Sequence, residues 1–244
     1  AVLSETQLQD WGWRIPFIFG LLIGPVGLYI RRHIKESESF RTAEKSASPL
    51  KEIVRAQKGL FFIAIGLMVV STAINYMLNY VPTYATKPLH LPASAGFTAT
   101  LSAGIILTVV TPLMGLWAEK VGRLPLMWGS LVLLLITIYP AFWLMLEYTS
   151  ALSLLLLISW LALLKSVYFS AVPSMMADLF PITTRASGMA ISYNVAVTVF
   201  GGFAPFICTL LISATGSSLA PGYYLMVVAL LSVWSLFKAQ KLQR

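Results

Sequence analysis

Apolar residues run through this chain in long blocks, separated by short polar or charged segments. Seven such blocks predict seven membrane-crossing helices, at about residues 13–30, 60–81, 95–117, 126–146, 151–177, 186–213 and 222–237. Their lengths approach the roughly 20 residues that a helix needs to cross a hydrocarbon core of about 30 Å. The apolar–polar alternation of a membrane strand is absent. The second block is expected to stop at the Pro82-Thr83-Tyr84 turn, and the fourth is entered through Gly122-Arg123-Leu124-Pro125. The fold class that follows is all-α, an integral membrane helical bundle.

Composition strengthens this. The chain is 58% apolar and 11% charged, against about 45–50% and 25% in soluble domains. Its one cysteine, Cys208, lies in an apolar run and is read as a small buried hydrophobe. The chain opens on Ala1 with no basic stretch ahead of an apolar core, so no cleavable signal is expected and the chain reads as a fragment or a processed piece.

The formal charge of +8 matters less than where the cations sit. Arg31, Arg32, Lys35, Arg41, Lys45, Lys51, Arg55 and Lys58 fall between the first two blocks. Lys120 and Arg123 fall between the third and fourth, Arg185 between the fifth and sixth, and Lys238, Lys241 and Arg244 in the tail. By alternation these all lie on one side. The positive-inside rule makes that side cytoplasmic, with the N-terminus outside and the C-terminus inside. The basic total then reflects topology and contact with the lipid bilayer, and no nucleic-acid partner is expected. The division expected is an outer segment and first span at 1–30, a cytoplasmic linker at 31–59, a six-helix bundle at 60–237 and a tail at 238–244. Within the linker, Ser48-Pro49 followed by LKEIVRAQK predicts a helix start, with Ser48 as cap.

Five segments in order carry a resemblance: WGWRIPF with LYIRRHIKESESF; YVPTY; GLWAEKVGRLPL; ADLFPITTRASGMAISYNVAVTVFGGFAPF; and PGYYLMVVALLS. Together they resemble the metabolite:proton symporter branch of the major facilitator superfamily, whose members carry citrate, α-ketoglutarate, shikimate or proline betaine. The resemblance implies a fold of twelve helices in two halves, of which this chain would be helices six to twelve, with N-terminal helices one to five as an expected partner. It implies a small-molecule substrate, a proton as coupling ion with no other cofactor, and a bacterial inner membrane as the location.

The segment Gly115-Leu-Trp-Ala-Glu119-Lys120-Val-Gly122-Arg123 resembles the G-x-x-x-D-R-x-G-R loop of that superfamily, with Glu119 where Asp is usual and Leu124 where a second basic residue is common. An acid at a helix C-terminus faces the negative pole of the helix dipole and calls for a cation. Lys120 and Arg123 are near enough in sequence, and Gly122 permits a tight turn. Asp178 and Arg185 match the family's acid-F-P-x-x-x-R pattern. Both sets read as cytoplasmic gate charges or as ordinary charged turns, and a salt bridge or latch is the expectation for Asp178 and Arg185.

Asn75 and Asn79 share a helix face with i, i+4 spacing, beside Tyr76. They read as cavity lining or as interhelical hydrogen-bonding groups. Tyr193 and Asn194 are further cavity candidates, ahead of Phe200-Gly201-Gly202, whose glycines suit close packing or bending. Lys165 lies deep in the fifth block, too far from either end to reach the interface easily. Centring an ammonium costs about 2.5–3.5 kcal/mol even on the mild insertion scale. Its partner is expected to be water, an anionic substrate or a missing half, because no carboxylate lies in the core of any span, and it reads as a substrate or coupling residue, with a carboxylate favoured, or as a structural or lipid-mismatch lysine. Tyr168 and Phe169, one turn on, are candidates for a cation–π contact with it or for simple packing.

No metal-ligand spacing, phosphate loop or catalytic constellation occurs, so an enzyme is not expected. The function expected is proton-coupled symport of a small metabolite by alternating access, an organic acid ahead of an osmolyte. The alternative is a truncated, non-transporting membrane piece that needs a separate N-terminal half. The proton-carrying carboxylate is expected in that half.

Overall fold

The computed structural model describes residues 4–33, 52, 53 and 55–242. The Ser48-Pro49 helix start, the linker cations Lys35, Arg41, Lys45 and Lys51, and Arg244 lie outside the described residues. The described residues are helical, and seven helical segments are long and apolar enough to cross a membrane. We name them α1 (Gly12–His33), α2 (Lys58–Thr86), α3 (Ala93–Val121), α4 (Arg123–Glu147), α5 (Ala151–Leu179), α6 (Arg185–Thr215) and α7 (Ala220–Leu242). The protein is a multi-pass membrane protein.

The chain forms two compact units, Ala1–Glu44 and Lys45–Arg244. In the first, a short helix, Glu5–Asp10, is capped by Ser4, whose hydroxyl accepts from the Gln7 amide. It leads into α1, whose last described turn carries the cations Arg31 and Arg32, which a helix C-terminus favours.

The second unit holds α2–α7. Lipid tails are as apolar as leucine, so these helices associate through close packing and interhelical hydrogen bonds. The three that contribute most to the interior are α2, α5 and α7. Ala95, Ala99 and Ala103 form a stripe of small buried residues that brings α3 against α2 and α5, and Ser102 and Ser159 share a 2.8 Å hydroxyl contact there. Between α2 and α7, the Ser232 hydroxyl accepts from the Val70 amide at 3.1 Å and donates to the Gly66 carbonyl at 2.7 Å. An undisturbed helix joins that amide to that carbonyl directly. The serine therefore sits in the α2 backbone ladder and ties α7 to the segment just before the polar stretch of α2.

All seven spans are longer than their apolar blocks suggest. The second block does not end at Pro82: α2 continues to Thr86 with Pro82 inside it. Proline removes the donor that would serve the Leu78 carbonyl. The Thr100 hydroxyl of α3 approaches that carbonyl at 3.4 Å while bonding Gly96 at 2.9 Å. A neighbouring helix thus answers the freed group, which is how proline is tolerated within spans. In α5 the opposite holds. The continuous block expected at 151–177 is broken between Ala151–Phe169 and Val172–Leu179, with Pro173 opening the second piece. In α6, Val197–Gly202 is a π-helical turn, and Gly201 is seated against Thr72 and Tyr76 of α2, the close packing that its sequence suggested.

Candidate functional site

At the midpoint of α5, Lys165 is 8% exposed. Its Nζ donates to Asn75 Oδ1 at 3.2 Å and lies 5.0 Å from the centre of the Phe169 ring. Both partners fit the chemistry of an ammonium. An amide oxygen accepts from it, and an aromatic face attracts it through the ring quadrupole. Phe169 is four residues on from Lys165, one turn along the same face.

These groups line a cavity of about 370 Å³, together with Tyr76, Asn79 and Tyr193. Ser71 and Thr72 complete the α2 wall. Positions 68, 72, 75, 76 and 79 recur at helical spacing, so one stripe of α2 faces the cavity. Facing stripes come from α5 and from α6, where Tyr193 and Val197 contribute. Among the described residues no carboxylate lies within ion-pair distance of Lys165.

The structure therefore brings together Lys165, Asn75, Tyr76, Asn79 and Tyr193. It places two other candidates elsewhere. Tyr168 points away from the cavity: it is buried, and its hydroxyl donates to the Leu67 carbonyl of α2 at 2.8 Å. It ties α5 to α2, while Phe169 takes the position over the ammonium. Asn194 donates to the Ala190 carbonyl of its own helix at 2.7 Å and borders a second, apolar cavity of about 480 Å³. Replacing Tyr168 with phenylalanine is expected to lower stability by about 1 kcal/mol, the usual worth of such a hydrogen bond. Thermal unfolding in detergent would register this as a small drop in midpoint. Met68, Ser71 and Thr72 were not singled out from sequence, although the i, i+3, i+4 recurrence that includes them is visible there.

A second concentration of chemistry lies where α3, α4 and α5 meet. Gly122 has φ +95° and ψ 152°, a conformation that side chains with a Cβ rarely adopt, so α3 turns into α4 within one residue. Arg123 then forms an ion pair with Asp178 on α5. Two expectations need correcting here. Asp178 pairs with Arg123 and not with Arg185, whose Nε donates to the Phe180 carbonyl at 3.4 Å. Glu119 is not answered by Arg123 or Lys120, since among the described residues Arg123–Asp178 is the one ion pair. The reason is the tight Gly122 turn: it starts α4 at Arg123, which bonds across to α5, while Glu119 and Lys120 stay exposed on α3. Gly115, Glu119, Gly122 and Arg123 border a cavity of about 880 Å³ with Ser170 and Ser174 of α5.

At the same end of the second unit, Gln57 Oε1 accepts from Thr184 at 3.0 Å, and Trp128 Nε1 donates to Gln240 at 3.1 Å. Lys120, Arg123, Arg185, Lys238 and Lys241 all belong to this end by the alternation of the helices. The basic loops thus gather at one end of the bundle.

The second unit is thus a helical membrane bundle with a polar, cation-bearing cavity among its spans and a charged junction at one end. Residues 30–241 match the sugar (and other) transporter family, and the chain belongs to that family, within the major facilitator superfamily. It is 32% identical to a citrate–proton symporter of Klebsiella pneumoniae over 94% of this chain and 52% of that protein. It is 28% identical to the ectoine/proline transporter ProP of Corynebacterium glutamicum, over 99% of this chain and 51% of the relative. The proline/betaine transporter of Escherichia coli K12 is 29% identical over 96% and 49%. The chain spans about half the length of these relatives. No solved structure matches it.

Proposed function

We propose that this chain supplies helices six to twelve of a proton-coupled symporter of a small metabolite, and that the substrate is an organic acid engaged by Lys165. The observation that carries this is the ammonium on the cavity wall. Burying a charge without a counter-charge is costly, and positions of this kind in membrane helices usually mark substrate or ion pathways. A carboxylate entering the cavity provides the missing counter-charge. Asn75, Asn79, Tyr76 and Tyr193 are assigned as hydrogen-bonding groups that orient it. Secondary transporters hold substrate near the midplane between their repeats, which is the level of Lys165 in α5. Helices one to five close the other wall and carry the coupling carboxylate. The basic end of the bundle is assigned to the cytoplasm, with the C-terminus inside and the start of α1 outside. Citrate, proline/betaine and ectoine transporters all stand among the relatives, so the choice of acid over osmolyte rests on Lys165.

In this reading Arg123–Asp178 is a gate contact, made in one state of the transport cycle and broken in the other. A half-exposed pair contributes only about 0–1 kcal/mol to stability. Asp178→Asn is therefore expected to leave the unfolding midpoint within a few degrees and to slow uptake several-fold. Exchanging the charges, Arg123→Asp with Asp178→Arg, is expected to recover part of the rate; no recovery would make the contact structural only.

The test is uptake driven by a proton gradient into vesicles, with citrate, α-ketoglutarate, shikimate and proline betaine as labelled solutes. This chain is compared alone and joined to its N-terminal region. Uptake of an acid by the joined form supports the proposal. Uptake of the betaine alone contradicts the acid assignment, and uptake by this chain alone contradicts the two-wall account.

A further inference from the structure

The polar cavity around Lys165 does not stand alone. It shares Met68, Phe169 and Tyr193 with the apolar cavity of about 480 Å³. Pro173 and Met176 of that cavity lie about two and three turns beyond Lys165 on α5. From α6 come Ala186, Met189 and Ala190. Three methionines and a phenylalanine make this an adaptable apolar wall, because an unbranched thioether adjusts to varied shapes. The two volumes are each of the size that small-ligand pockets occupy.

Charge is confined to one end of this compound groove. Among the described residues that line either cavity, Lys165 is the one charged group. A single carboxylate is matched there. On the wall that this chain supplies, each further carboxylate of a polyacid would meet methionine and proline, with no cation among the described lining residues to offset its desolvation.

We infer that the groove takes a monocarboxylate with an apolar body, its carboxylate at Lys165 and Asn75 and its hydrocarbon portion along Met68, Met176 and Met189. This rests on the assignment of Lys165 to an organic acid and narrows the acid's class. Phe169, shared by both cavities, covers the junction between head and body. The carboxylate of such a ligand gains the ammonium and the Asn75 amide, while each methylene that leaves water for the methionine wall adds apolar transfer free energy.

The experiment uses the purified full-length protein and measures the shift of its thermal midpoint by ligand, which converts to relative affinity through linkage. The probes are acetate, butyrate, hexanoate, 3-phenylpropanoate and citrate. Affinity is expected to rise about fourfold per methylene from acetate to hexanoate, with citrate weaker than hexanoate. Ala190→Leu fills the apolar cavity from a position on its wall. It is expected to flatten the series at the long end and to leave acetate unchanged; Ala186→Leu, about one turn earlier on α6, is a second filling variant. Lys165→Met is expected to remove the response to every member.

Citrate binding more tightly than any monocarboxylate would overturn the inference and leave the organic-acid assignment standing, provided that binding needs Lys165. A flat series, or a steep one that neither filling variant alters, would overturn it in the same way. Carboxylate responses that survive Lys165→Met would remove the assignment on which it rests.

Discussion

Lys165→Met is expected to cut carboxylate affinity roughly 30-fold or more while leaving the bundle as stable as the parent, or more stable. The two halves of this result have separate causes. Truncating one side of a desolvated, hydrogen-bonded charge pair costs about 2–5 kcal/mol, and each 1.4 kcal/mol is a factor of ten in affinity. For the protein without ligand, the ammonium is a burden. It is 8% exposed and faces an amide and a ring in place of a carboxylate. Exchanging a buried charge for an apolar side chain of similar length is often neutral or stabilising. A structural lysine would behave in the reverse way, with stability falling and affinity moving little. Thermal midpoints and substrate affinities measured on the same two preparations separate these cases by sign.

Gly96→Ala is expected to destabilise the bundle markedly, whereas Gly104→Ala, on the same helix, is expected to be harmless. A Cβ at Gly96 would lie 2.7 Å from Pro82 Cα and 3.2 Å from Ala85 Cβ. Those are backbone and near-backbone atoms, so no rotamer change relieves the clash; α2 and α3 would have to separate. Overpacking of this kind costs about 1–3 kcal/mol. It would also move the Thr100 hydroxyl away from the Leu78 carbonyl that Pro82 leaves without its amide. At Gly104 the same Cβ meets nothing within 4 Å, and alanine is the better helix former by about 1 kcal/mol. The unfolding midpoint is expected to fall by several degrees in the first variant and to hold or rise in the second. Equal effects would mean that the α2–α3 approach is looser than described.

The same chemistry explains what the sequence made legible. All seven spans were visible, because length and apolarity are local properties. Their ends were less so. Pro82 looked like a stop because its missing amide is a local fact, whereas Thr100, which answers the freed carbonyl, arrives from another helix. The polar face of α2 was visible in the spacing of Asn75, Tyr76 and Asn79. That Lys165 meets that face was not, because the register of α5 against α2 is set by contacts such as Tyr168 to Leu67. Both Tyr168 and Phe169 sit one turn beyond Lys165, and only the packed helices decide which ring covers the ammonium. The gate charges show the same limit. Asp178 and Arg185 are neighbours in sequence, so pairing them was the local expectation. Arg123 reaches Asp178 because Gly122 turns α3 into α4 beside α5.

The central claim is that the substrate occupies the cavity at Lys165. Asn79 lines that cavity and is exposed within it, so Asn79→Cys, in a full-length protein whose other cysteines are replaced, offers a direct probe. Its rate of maleimide labelling is to be measured with and without the transported acid at saturating concentration. The account predicts that the acid slows labelling at least tenfold, and that Lys165→Met abolishes this protection. Labelling at the same rate with and without a saturating, transported acid would contradict it and place the substrate elsewhere.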